Sequence, residues 1–221
     1  MTNFSQARKN MVDGQVHTAG VVDPRILDMF STVPRELFVP EKLQGVSYTD
    51  ENLDIGQGRC LMEPITHARL LQEARLVESD VVLDIAAGSG YSSAILSPIV
   101  STVIALENNK RQMDKAQRVW DKLDMCNIVL ETGKLNEGVT EHAPYSLIVI
   151  NGSVPEVPDV ILKQLAVGGR LVTVIAQKGD TIGQAKLFYK NDNGDVSSKT
   201  LFDTGIPFLA DFGLEDAFQF A

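Results

Sequence analysis

Residues 81–95 read VLDIAAGSGYSSAIL, and no other stretch of this 221-residue chain restricts its fold as tightly. An apolar run of strand composition ends at an acid, Asp84. It opens into the small residues Ala86-Ala87-Gly88-Ser89-Gly90, with a helix-like sequence behind them. A strand feeding a helix through such a turn is the first unit of a doubly wound α/β sheet. Ligands of that architecture bind beyond the carboxyl ends of the strands, where strand order reverses. From residue 80 the alternation continues. Strands are predicted over 81–86, 102–107, 127–131, 146–150 and 170–176, with YSSAILSPI, NKRQMDKAQRVWDKL and PDVILKQL as helices between them. Apolar strands alternating with helices imply a parallel sheet covered on both faces. AKLFYK and DVSSKTLF flank the turn NDNG and add an antiparallel hairpin at the edge.

Residues 1–76 read as helices without a core strand. Phe4, Ala7, Met11, Val12 and Val16 recur at helical spacing, and Asp23-Pro24 is a cap with proline at the first helical position. Pro64 opens a further helix whose inward face is expected to carry Ile65, Ala68, Leu71 and Ala74. There is no repeat or Pro/Ser-rich linker, so 1–221 is expected to be one domain, a helical part over 1–76 joined to an α/β core over 77–221.

A formal net charge of −9, with no Lys/Arg run longer than two, argues against a surface that tracks phosphates, and no nucleic-acid partner is expected. The start, MTNFSQARKN, lacks the apolar core of a leader, and no apolar run approaches the ~18 residues of a membrane span. Cys60 and Cys126 form no CxxC pair, which fits a reducing cytoplasm. His17, His67 and His142 are scattered without ligand spacing, and DNGD lacks the ligand series of a calcium loop, so no metal is expected.

The second predicted strand ends in Glu107, where a carboxylate can accept both hydroxyls of a ribose, one on each oxygen. A Walker loop is excluded because no Gly-Lys-Ser/Thr follows the glycines. A nicotinamide fingerprint finds its first two glycines in Gly88 and Gly90. Ser93 stands at the third, where close helix–strand packing favours Gly or Ala. Three features favour S-adenosylmethionine: Asp84 directly before the loop, a fourth strand end in YSLIVINGS, and the entry to the fifth through QLAVGGRLV. A dinucleotide-binding oxidoreductase, or a plain turn with Glu107 as an ordinary strand end, remains the competing reading.

The blocks ARKNMVDGQV, VDPRILDMFSTVPRELFVP, IGQGRCLMEPITHARLL, VLDIAAGSGYSSAIL, APYSLIVING and LKQLAVGGRLV occur in an order and spacing that resemble the protein-L-isoaspartate (D-aspartate) O-methyltransferases. VPRELFVP is the most specific of them. The resemblance spans nearly the whole chain and implies a class I methyltransferase fold, Rossmann-like, with a mostly parallel seven-stranded sheet. It also implies S-adenosylmethionine as cofactor and isoaspartyl-containing proteins as substrate. The methyl group goes to the isoaspartyl α-carboxylate, and the ester then closes to a succinimide that can reopen as normal aspartate. Cofactor contacts implied by the resemblance fall on Asp84, Ala86, Gly88, Gly90, Glu107, Asn108, Thr132, Gly133 and Asn151. A carboxylate with a pKa near ~4 is already ionised at neutral pH, so the transfer needs no general base and catalysis rests on positioning.

Several positions depart from the family pattern. Its acceptor loop, Gly-Gln-Thr-Ile-Ser-x-Pro, reads GRCLMEP here, so Arg59, Cys60 and Met62 stand at the catalytic positions and both hydroxyls are gone. Arg59 is expected either to grip the acceptor carboxylate bidentately or to lie at the surface. Ala86 replaces a glycine and is expected at negative φ. Thr132 replaces an aspartate that accepts the adenine amino group. Asn151 and Ser153 stand in place of a small-residue run. These changes leave two alternatives beside isoaspartyl transfer: a different acceptor on the same scaffold, or a binding protein that retains the cofactor pocket.

Overall fold

The computed structural model describes residues 3–213. Helix α1 (Phe4–Met11) starts at Asn3, whose side chain accepts from the Gln6 amide, and runs into a π-helical turn over Val12–Val16. Helix α2 (Pro24–Thr32) is capped by Asp23 with Pro24 in its first turn, and it buries Ile26 and Phe30 one turn apart. Met11, Val12 and Val16 are buried, whereas Phe4 and Ala7 are half-buried. Helix α3 (Pro64–Ala74) begins at the expected proline and ends at Arg75, in the left-handed region at φ 51°. Ala68, Leu71 and Ala74 face inward as expected. Ile65 is only half-buried, and Thr66, His67 and Leu70 complete the inner face.

The helical reading of the first 76 residues missed a hairpin, β1 (Leu53–Gly56) with β2 (Arg59–Leu61), which forms a separate two-stranded sheet. Its turn, Gly56-Gln57-Gly58, holds three positive φ angles in succession (88°, 59° and 70°), which the two glycines make accessible. Strands this short, with the pattern LDIG and RCL, carry too little alternation to stand out from loop.

The large sheet contains β3 (Val81–Ile85), β4 (Thr102–Glu107), β5 (Ile128–Thr132), β6 (Tyr145–Val154), β7 (Leu165–Ile175), β8 (Gly183–Lys190) and β9 (Val196–Thr204). Their spatial order is β5-β4-β3-β6-β7-β8-β9. The first five run parallel, and β8 and β9 close the edge as the antiparallel hairpin expected from the NDNG turn. Helix α4 (Tyr91–Leu96) follows β3, α5 (Lys110–Lys122) follows β4, and α6 (Asp159–Lys163) precedes β7.

Alternation along the strands divides the interior in two. Val82, Val103, Ala105, Leu147 and Val149 point into a core shared with α1 to α5, which joins the N-terminal part to the sheet. Leu83, Ile104, Leu106, Ile148 and Ile150 point to the other face, covered by Ile161 of α6 and by Leu209 and Phe212. Strand order reverses at β3, which lies between β4 and β6. The crevice expected for a ligand therefore opens at the carboxyl ends of these three strands. Among the described residues, no helix is long and apolar enough to cross a membrane.

Candidate active site at the carboxyl edge of the sheet

Asp84 is wholly buried and points toward α4, where three donors meet it: Ser92 Oγ at 2.8 Å, Ser93 Oγ at 2.6 Å and Asn151 Nδ2 at 2.7 Å. Burial pushes its carboxyl above the ordinary value, against the hydrogen bonds from Ser93, Asn151 and Ser92 that pull it down. Ser93 thus stands at the third fingerprint position as an aspartate donor. Asn151 also donates to the Ile85 carbonyl at 3.0 Å, bridging β3 to β6 where the β6–β7 register shifts between Val149 and Ser153. Gly152 beside it is required by space, since a Cβ there would meet Leu209 at 2.4 Å.

The loop itself corrects one expectation. Ala86 lies at φ 57°, in the left-handed region, not at negative φ. Its Cβ is carried there at a steric cost that glycine would avoid. Gly90, at φ 86°, has a second constraint: a Cβ would come within 2.5 Å of Trp120. That indole, the chain's single tryptophan, donates to the Gly90 carbonyl at 2.9 Å and so fixes α5 against the loop.

Glu107, at the end of β4, is also wholly buried. It accepts from the amides of Gly88 (3.0 Å) and Asn108 (2.8 Å). Its principal partner is Arg59, whose Nε lies 2.9 Å from Oε2 and whose Nη2 lies 3.0 Å from Oε1. Nη1 of the same guanidinium meets Asp211 at 2.9 Å, and Nη2 meets Asn108 Oδ1 at 3.2 Å. Neither sequence expectation for Arg59 describes this arrangement. The side chain is neither at the surface nor directed at an acceptor, because the β1–β2 hairpin delivers it onto Glu107. Asp211, which also accepts from Asn108 Nδ2, was not singled out from sequence. It lies 152 positions from Arg59, and no local pattern links the two.

Two cavities lie along this edge of the sheet. Toward β5, a cavity of about 410 Å³ is bordered by Asn108, Thr132, Gly133 and Asp211. Thr132 pairs in register with Glu107, so an adenine acceptor there would sit one strand from a ribose acceptor. Toward β6, Cys60, Met62, Ala86, Ser89 and Asn151 surround a cavity of only about 20 Å³, room for about one water. Burial pushes the Cys60 thiol up to about 12, so it stays protonated at neutral pH. Met62 is buried, and its carbonyl accepts from Arg35 Nη2 at 2.8 Å. Arg35 comes from the VPRELFVP block and also donates to the Ser47 carbonyl at 2.6 Å. That block therefore braces the segment that ends at Met62, a contact its sequence did not reveal.

Two acid-ended adjacent strands, a small-residue turn between β3 and α4, and a closing antiparallel hairpin define a class I methyltransferase. The chemistry of these residues fits a nucleoside cofactor: a buried carboxylate at the end of β4 and a cavity on the β5 side. The family model of protein-L-isoaspartate(D-aspartate) O-methyltransferase matches residues 6–208, and the chain belongs to that family. It is 38% identical over 180 residues to a protein-L-isoaspartate O-methyltransferase of Synechococcus, covering 81% of this chain and 74% of that one. It is 33% identical to the corresponding protein of Petrotoga mobilis, covering 96% of this chain and 99% of that one. A solved protein-L-isoaspartate O-methyltransferase superposes with a TM-score of 0.80 at 26% identity, covering 93% of this chain and 67% of that one. A candidate member from Plasmodium falciparum, solved with S-adenosyl-L-homocysteine, shares the fold at a TM-score of 0.77 and 19% identity, covering 96% and 100%.

Proposed function

We propose that this chain methylates the α-carboxylate of isoaspartyl residues in damaged proteins, with S-adenosylmethionine as donor, and so starts their repair. The observation that carries this reading is the meeting, at one sheet edge, of the acceptor loop Cys60–Met62 with Ala86 and Asn151 of the cofactor side. Bound S-adenosylmethionine supplies an electrophilic methyl on a positively charged sulfur. Asp84, Gly88, Gly90 and Asn151 shape the turn against which the cofactor lies. Glu107 holds the ribose, and Asn108, Thr132 and Gly133 border the base. Arg35 positions the acceptor loop through the Met62 carbonyl, and Cys60 and Met62 face the acceptor side, while Arg59 turns away from it onto Glu107. No residue is needed as a base, since the acceptor carboxylate is ionised at neutral pH. What remains is to hold oxygen, carbon and sulfur in line, and proximity of that kind is worth about 7 kcal/mol or more.

The acceptor is a protein or peptide. A net charge of −9 supports that against nucleic acid, and free thiols at Cys60 and Cys126 support work in the cytoplasm. A second reading, a cofactor-binding homologue with little isoaspartyl transfer, is favoured by the absent hydroxyls at Cys60 and Met62. Transfer of radiolabelled methyl to an isoaspartyl peptide, beside its normal-aspartyl twin, separates the two. The expected result is label on the isoaspartyl peptide alone, rising about tenfold or more in a Cys60→Thr, Met62→Ser variant that regains one bond to the carboxylate. Cofactor binding with no label in either protein would overturn isoaspartyl transfer and leave a different acceptor or a binding role.

A further inference from the structure

The Arg59–Glu107 pair is the most enclosed ion pair among the described residues, with side chains 4% and 0% exposed. We propose that Arg59 is an internal competitor for the cofactor's ribose and thereby sets cofactor affinity. This rests on the methyltransferase reading above and adds to it a residue that works against binding.

The argument starts from the acceptor capacity of one carboxylate, about four lone-pair directions. At Glu107, Oε1 already receives Arg59 Nη2 and the Asn108 amide, and Oε2 receives Arg59 Nε and the Gly88 amide. Two ribose hydroxyls find no acceptor while the guanidinium stays. The amides belong to the backbone and remain, so Arg59 is the partner that leaves. One cavity agrees with this: space for a base exists at Thr132 and Gly133, bordered by Asn108 and Asp211, both of which the Arg59 guanidinium meets.

Release is local. Arg59 is the first residue of β2, directly after the turn with three positive φ angles. Side chains of α5 and its cap hold that turn by two hydrogen bonds, Gln112 Nε2 to the Gly56 carbonyl at 3.2 Å and Asn109 Nδ2 to Gln57 Oε1 at 3.3 Å. Asp211, already 2.9 Å from Nη1 and partly exposed, remains as a partner for the displaced guanidinium. The chain therefore has two states, one with Glu107 held by Arg59 and one with Glu107 open to ribose. Apparent affinity is reduced by the fraction in the open state. An open population of about 1–10% corresponds to a tenfold to hundredfold reduction.

The signature is a pair of opposite changes. Arg59→Gln removes the competitor and raises affinity, yet it takes from the buried Glu107 its only cationic partner among the described residues and lowers stability without ligand. A merely structural arginine would give loss in both. The test is calorimetric titration of the full chain with S-adenosylhomocysteine, alongside the melting temperature of each ligand-free protein. Arg59→Gln is expected to bind between about tenfold and about a hundredfold tighter and to melt lower. Arg59→Lys, which keeps the charge and loses the fork, should lie between it and wild type, and it carries the test if the glutamine variant does not fold. Unchanged or weaker binding in these variants, with wild type binding normally, overturns the competitor and leaves the function intact. No binding by any of the three overturns the methyltransferase reading and the competitor with it.

Discussion

Ala86 carries a Cβ at φ 57° in the turn that the cofactor side is built on. An L-residue in that region costs about 1–2 kcal/mol, part of which glycine would return as a more flexible unfolded chain. Ala86→Gly is therefore expected to stabilise the protein by about 0.5–1 kcal/mol, read as a higher urea midpoint at unchanged slope. A lower midpoint would mean that the methyl contributes packing that outweighs the strain. Asp84 and Glu107 were legible from sequence because each ends an apolar strand, and strand ends of a parallel sheet converge on one edge. Arg59 was not legible. Its partner lies 48 positions away, reached only through a hairpin too short to signal itself. The meaning of Ser93 was equally hidden, since only the fold shows a hydroxyl turned onto Asp84 at 2.6 Å.

Among the elements, α3 packs against α2 and α4 through His67, whose ring meets Phe30 edge-on at 5.4 Å and Tyr91 at 5.8 Å. Burial, together with nearby Arg35, depresses the imidazole from 6.5 to about 3. The folded protein therefore keeps His67 neutral while the unfolded chain protonates it. Stability present above about pH 6.5 is lost as pH falls toward 3, and at pH 5 the loss from this one group is about 2 kcal/mol. His67→Leu should flatten that part of the acid limb, measured as the difference in unfolding free energy between pH 7.5 and pH 5. An unaltered difference would place the acid sensitivity elsewhere. The helices and sheet strands of the core were legible from period and caps, because α2 and α3 each open on proline and the central strands β3, β4 and β6 are apolar on both faces. Only the small hairpin escaped, and it is the element that places Arg59.

At the scale of the whole molecule, the N-terminal helices and the α/β sheet share one core on the α1–α5 face, so acceptor loop and cofactor edge are held in a fixed relation. The two-part division at residue 76 describes the order of the chain and not separate bodies, since Met11, Phe30 and Leu71 pack in the same cluster as Val82 and Val103. The family was legible because its blocks lie in both parts in the right order. The state of the pocket was not, because that depends on which side chains meet across the fold. Repair is the outcome this arrangement serves, and it is measured directly by incubating the protein with S-adenosylmethionine and an isoaspartyl peptide, then separating the peptide from its normal-aspartyl twin. The isoaspartyl form is expected to decline over repeated cycles, the aspartyl form to grow, and S-adenosylhomocysteine to accumulate. An isoaspartyl peptide that persists unchanged, in the presence of protein with cofactor demonstrably bound, would contradict it.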